Sequence, residues 1–246
     1  LAFTSLTTKP LLATDIITIV AGVVAIFVGV GILIWFYCSI FYFRSRGFVL
    51  PVLFMNAGNV GIPLALFAFG EAGLQRGTLL FVAISVLQYS LGIYILNGSA
   101  GWKEIFRLPL IYATFLGLFF NLTHLKVPGP IFQPLSLLGY STIPLMLVSL
   151  GYRLRNIPSL TWGHSVSGAL LRIFGGLGSA YLTVSLLGIQ GVNRQVILLY
   201  GSLPSAVVNF VLTEKYGQDP QLAASIVFLA TLFSLVSIPL VFWLIL

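Results

Sequence analysis

The chain has 246 residues, of which 59% are hydrophobic and only 7% charged, with a mean hydropathy of +1.08. A soluble domain carries roughly 25% charged residues, so this composition excludes a surface covered by charge and makes lipid the outer solvent. The net charge of +7 comes from Lys and Arg standing singly between apolar runs, a pattern of topology signals rather than a nucleic-acid-binding stripe.

The apolar runs are continuous rather than alternating, which argues for helices and against a membrane barrel. In chain order, a short apolar stub at 1–7 precedes a long span at about 13–43, closed by Arg44-Ser-Arg-Gly47. The next span, at about 49–69, is interrupted by Asn56-Ala-Gly-Asn-Val-Gly-Ile-Pro63. Further spans are expected at about 75–96, 107–122, 131–152, 162–188, 193–213 and 221–246. The Gly/Ser stretch 97–101 is the most linker-like segment. Arg44, Arg46, Lys103, Arg107, Arg153, Arg155 and Lys215 fall in one set of alternate connections, and Lys9, Arg76, Lys126 and Arg194 in the other. The richer set is assigned to the cytoplasm, which places the C-terminus outside a plasma or bacterial inner membrane.

Two internal repeats are visible. Phe69-Gly70-Glu-Ala-Gly-Leu-Gln-Arg-Gly-Thr-Leu-Leu-Phe81 resembles Tyr216-Gly217-Gln-Asp-Pro-Gln-Leu-Ala-Ala-Ser-Ile-Val-Phe228, and Leu1-Ala-Phe-Thr-Ser-Leu6 resembles Leu145-Met-Leu-Val-Ser-Leu150, at offsets of 147 and 144 residues. Five spans follow Arg107, against three and a stub before it. An odd number of spans per repeat inverts one repeat relative to the other, as in many secondary transporters. The comparison predicts a first repeat at 1–97 that lacks one span and most of a second before Leu1, a linker at 98–106, and a second repeat at 107–246.

The interruptions carry the chemistry. Proline inside a helix removes a hydrogen bond and clashes with the preceding turn, and in lipid the freed backbone groups must be satisfied by protein or by a water-filled cavity. The first break holds Asn56, Asn59, Gly61 and Pro63; the second, Gly201–Asn209, holds Ser202, Pro204, Ser205 and Asn209. A single break reads equally well as a kink. Paired breaks at repeat-related places point to a transport site, where half-helix N-termini present bare N–H groups to an anion. Asn56 and Asn209 are expected to face one shared polar cavity, with all of Asn56–Pro63 and Ser202–Asn209 non-helical.

Asn56-Ala-Gly-Asn-Val-Gly-Ile-Pro63 resembles the Asn-x-Gly-Asn-x-Gly-x-Pro signature of the auxin efflux carrier family of membrane transport proteins. Leu203-Pro-Ser-Ala-Val-Val-Asn209, with Glu214-Lys-Tyr-Gly217 and Ala223-Ala-Ser225, is similar to that family's second crossover, and Thr142–Gly151 to its seventh span. The resemblance implies an all-α, five-plus-five inverted-repeat transporter related to the bile acid:sodium symporter fold, with two broken crossover helices. It implies a scaffold built from 107–152 and the stub, and a transport domain built from 12–97 and 161–246. It carries the family's crossover Asn and Pro positions onto Asn56, Asn59, Pro63, Pro204 and Asn209. Plant auxin carriers have a long polar loop between the repeats; the short connection here is of the bacterial type.

All five acids, Asp15, Glu71, Glu104, Glu214 and Asp219, lie near span ends, so no carboxylate-based ion site is expected at the breaks. Arg172, well inside its span, is a candidate for gating or substrate contact because intramembrane ionisable residues are functional by default. Gln88 is a second such candidate. No Gly-x-x-x-x-Gly-Lys loop and no Cys/His cluster stands in the sequence, and no enzyme activity, metal or cofactor is expected. The partners expected are a small organic anion and the bilayer, with a homodimer through the scaffold as a candidate assembly. A sodium-coupled symporter and a non-transporting membrane scaffold or sensor are the alternatives.

Overall fold

The computed structural model describes residues 1–98, 105–154 and 160–245. Most of the expected linker therefore lies outside the described residues, as do the side chains of Lys103, Arg153 and Arg155. The described residues form ten helices and no sheet: α1 (Ala2–Thr8), α2 (Ala13–Ile40), α3 (Arg46–Leu53), α4 (Ala57–Asn97), α5 (Pro109–Leu122), α6 (Gly129–Leu154), α7 (His164–Leu186), α8 (Gly191–Gly201), α9 (Val207–Lys215) and α10 (Pro220–Ile245). Five of them, α2, α4, α6, α7 and α10, are long and apolar enough to cross a membrane. Their outward faces carry Trp35, Leu137, Val148, Phe174, Leu235 and Trp243, all well exposed, as expected where lipid replaces water.

The 41-residue α4 is too long for one span, since a ~30 Å hydrocarbon core needs about 20 helical residues. It folds back at Gly70, whose φ of 62° and ψ of −154° belong to a region that is open essentially to glycine alone. Beyond the turn, a Cβ built on Gly77 would lie 3.0 Å from that of Ala65. Residues twelve apart on a straight helix would be about 18 Å apart. The repeat-related Gly217 also has a φ of 62° and makes the turn between α9 and α10. Before the linker there are thus α1 and three membrane-length units: α2, α3 with the first arm of α4, and the second arm of α4. After it come the shorter, 14-residue α5 and four membrane-length units: α6, α7, α8 with α9, and α10.

The buried core runs through α2, α3, α4, α8 and α10, with Ile26, Phe48, Phe54, Leu80, Ile197 and Ile226 fully enclosed. At one end, Arg76 pairs with Asp15 at 3.1 Å and donates to Asn193 Oδ1 at 2.7 Å, while Asn193 Nδ2 donates to Asp15 Oδ1 at 2.8 Å. That closed triangle ties the starts of α2 and α8 to α4. At the other end, Gly47 lies so close to the 218–219 turn that a Cβ would collide with backbone oxygens of both residues, and Tyr37 bonds His164 at 2.8 Å. Arg44, Arg46 and the 218–219 turn therefore share one end of the molecule, and Arg76 the opposite one. The short α1 packs on α5; its C-terminal carbonyl at Leu6, and that of Lys9 beyond it, accept from Asn121 Nδ2 at 2.6 Å.

Candidate functional site

The two interruptions meet. α3 ends at Leu53 just after Pro51, which cannot donate a backbone hydrogen bond. Phe54, Met55 and Asn56 then run non-helically. α8 ends at Gly201, and Ser202–Ala206 run on to α9. Met55 and Ser205 form an isolated antiparallel bridge. Asn56 N donates to the Pro204 carbonyl at 2.7 Å, and Ala206 N donates to the Phe54 carbonyl at 3.1 Å. Each broken segment thus satisfies backbone groups of the other, as burial in an apolar medium requires.

The first interruption is shorter and earlier than expected. Ala57–Gly61 form a wide π turn that runs directly into regular helix, so Asn59, Gly61 and Pro63 are helical rather than unwound. Pro63 explains the widening, because it cannot bond to the carbonyl four residues back and the preceding turn relaxes to a longer repeat. Ile62 N accordingly bonds both the Ala57 and Gly58 carbonyls. In the second interruption only Ser202–Ala206 are unwound; Asn209 sits in the first turn of α9.

A cavity of about 300 Å³ opens beside the crossing. The starts of α4 (Asn56, Ala57, Gly58, Asn59) and α9 (Ala206, Val207, Val208) line it, together with Phe81, Ile84, Ser85, Gln88 and Tyr89 from the second arm of α4. Leu108, Leu110 and Met146 close it from the side of α5 and α6. No acid and no base stands among these lining residues. The first N–H groups of a helix have no intrahelical partner; among the described residues no side chain caps α9, while Asn56 Oδ1 caps α4 by accepting from Asn59 N at 3.2 Å. Asn56 Nδ2 is buried without a hydrogen-bond partner. A buried amide donor left unpaired costs about 1–3 kcal/mol.

Asn209 is placed differently from Asn56. It is fully buried and does not line the cavity. Its Nδ2 donates to the Phe54 carbonyl at 2.8 Å and to Ser205 Oγ at 3.1 Å, and its Oδ1 accepts from Gln88 Nε2 at 2.7 Å. Asn209 therefore clasps the crossing and orients Gln88, which does reach the cavity. Ser202 returns its hydroxyl to the Leu199 carbonyl at 2.7 Å, Pro204 contributes its carbonyl, and Gly61 admits the ring of Tyr200. Arg172, in a wide turn of α7 at Leu171–Gly175, is fully buried. It donates to the carbonyls of Val52, Leu53 and Gly201 at 3.1, 2.9 and 3.0 Å, away from the lining residues.

Sequence reading missed Tyr200, which is fully enclosed and donates to the Gly77 carbonyl at 2.9 Å. The small residues at Gly61 and Gly77 that admit it are the only signal it leaves. It also missed the wall residues Phe81, Leu108, Leu110 and Met146, which are ordinary apolar residues of their helices until the fold turns them inward.

A model of the membrane transport protein family matches residues 95–242. An uncharacterized transporter of Methanothermobacter thermautotrophicus is 32% identical over 209 residues, covering 80% of this chain and 67% of that protein. An uncharacterized transporter of Methanocaldococcus jannaschii is 29% identical over 215 residues, covering 82% of this chain and 69% of that protein.

Proposed function

Because this chain belongs to the membrane transport protein family that includes the auxin efflux carriers, we propose that it is a secondary transporter of a small organic anion, a carboxylate above all, working by alternating access. The observation that carries this reading is the convergence of two half-helix N-termini on one cavity that Asn56 and Gln88 line and whose lining has no acid. Each N-terminus presents a positive end equivalent to about half an elementary charge, so a carboxylate meets attraction from two directions. Asparagine and bare N–H groups hold it without the desolvation that a buried Lys would cost.

The cavity suits a compact substrate. At ~30 Å³ per water molecule, 300 Å³ is the space of about ten waters, near the lower end of ligand pockets. Polar groups gather at the crossing, and Phe81, Ile84, Leu108, Leu110 and Met146 supply an apolar wall. That division fits a carboxylate bearing a small apolar body. The wall from α5 and α6 belongs to the part that the family resemblance assigns to a scaffold, and the crossing to the part it assigns to a transport domain. A site on the seam between two such bodies is exposed to alternate sides when one moves against the other. With the Lys- and Arg-rich connections in the cytoplasm, a negative-inside potential drives export of a monoanion by about 2.3 kcal/mol per 100 mV.

The test is flux of a graded series of labelled monocarboxylates, aliphatic to aromatic, into proteoliposomes carrying the intact chain. Accumulation of at least one of them above empty vesicles is expected, with Asn56→Ala lowering flux by up to roughly tenfold for one neutral hydrogen bond. Wild-type flux in a correctly inserted Asn56→Ala variant removes Asn56 from the site. Carboxylate binding without flux favours the sensor alternative.

A further inference from the structure

Two helices end at the crossing as well as beginning there. The last four carbonyls of a helix have no intrahelical partner, and its C-terminal end carries about half a negative charge. The C-terminal ends of α3 and α8 are both buried next to the break, and their Val52, Leu53 and Gly201 carbonyls converge on a single group, the guanidinium of Arg172. Among the described residues no carboxylate reaches it; Asp15 pairs with Arg76, Glu71 accepts from Tyr140, and Asp219 accepts from Ser45. Arg172 is fully enclosed, and among the described residues its charge is balanced by the two helix ends alone. A Cβ on Gly176 would collide with both Arg172 Nη2 and the Gly201 carbonyl, so the absence of a side chain there keeps the guanidinium's lane open.

Half-helix C-terminal ends and unwound carbonyls are where secondary transporters with discontinuous helices coordinate a coupling cation. We infer that Arg172 is a tethered counter-cation standing in that place, so that this chain works without binding sodium at its crossover. An arginine stays charged under all ordinary conditions and cannot dissociate. The helix ends therefore remain neutralised in every state of the cycle, and no ion gradient is read there. The functional consequence rests on the transporter reading above: each turnover moves only the substrate's charge. A monoanion would then distribute by membrane potential alone, to a gradient of roughly fiftyfold per 100 mV.

Thermal unfolding of the purified full chain in detergent tests the inference without needing a substrate. Wild type is expected to melt at one temperature in choline and in sodium chloride of equal ionic strength. Arg172→Ala should melt lower in choline and recover with methylguanidinium, saturably, by about 3–6 °C at tenfold excess over its dissociation constant. Stabilisation of wild type by sodium overturns the inference, as does an Arg172→Ala variant that responds to methylguanidinium no more than wild type does. If Arg172→Ala yields no folded protein, Arg172→Gln, which keeps hydrogen-bond donors but not the charge, carries the same comparison. In proteoliposomes, wild-type carboxylate flux should follow an imposed potassium–valinomycin potential and ignore sodium; sodium-driven uptake overturns the inference. A chain that melts as expected but moves no carboxylate leaves Arg172 in this role and removes the transporter reading instead.

Discussion

Replacing either crossover asparagine with alanine should produce two different defects. Asn209 makes three hydrogen bonds with other residues, to the Phe54 carbonyl, Ser205 Oγ and Gln88 Nε2. At about 0.5–1.5 kcal/mol net for each bond, Asn209→Ala should cost about 3 kcal/mol. The Phe54 carbonyl keeps Ala206 N as a donor and Gln88 can turn to the cavity, so neither is stranded and the figure should not climb far above that. For a chain of this size the melting midpoint should fall by about 6–12 °C. Asn56 makes one side-chain bond, from Asn59 N, and its Nδ2 has no partner. Asn56→Ala should therefore cost about 0.5–1.5 kcal/mol at most, less whatever is regained by removing an unpaired buried donor. Scanning fluorimetry of both variants in the same detergent reads the difference directly. Equal losses, or a larger loss for Asn56→Ala, would refute the division of one asparagine to the clasp and the other to the cavity.

Other variants probe the fold around the site. Gly70→Ala has open space for its Cβ but the wrong backbone region, so it should lose about 1–3 kcal/mol through strain alone; an unchanged melt would show that the turn is not held in that conformation. Gly201→Ala drives a methyl into Ala180 and the Gly176 carbonyl and should lose about 1–3 kcal/mol by overpacking, whereas Gly178→Ala, with open space around it, should melt as wild type. A double-mutant cycle on Asp15 and Arg76 should give a coupling of about 1–3 kcal/mol, since both side chains are at most 16% exposed and share Asn193. Additive single effects would make the triangle a surface contact only. Ser85→Val, at a cavity-lining position whose hydroxyl returns to its own helix at the Phe81 carbonyl, should leave the melt within about 1 kcal/mol of wild type while narrowing the range of carboxylates transported; an unaltered substrate range would remove Ser85 from the lining.

The sequence by itself determined that the chain lives in lipid, where its spans lie and where two of them break. Those are local properties: an apolar run of sufficient length must be helical in a bilayer, and Pro and Gly act on their own turn. Gly70 and Gly217, matched in the repeat comparison, both turn the chain with positive φ for that reason. Pro63, however, does not unwind the residues before it, because a wide helical turn absorbs the defect. Only the tertiary structure decided what the breaks do. Asn56 and Asn209 are the same residue type at corresponding interruptions, yet one faces the cavity and the other is consumed by Phe54, Ser205 and Gln88. Arg172, a candidate for substrate contact by its position in a span, instead holds helix ends that precede it by about 120 residues and follow it by 29. A side chain's role here depends on which backbone groups converge on it from distant parts of the chain, and no spacing in the sequence encodes that meeting.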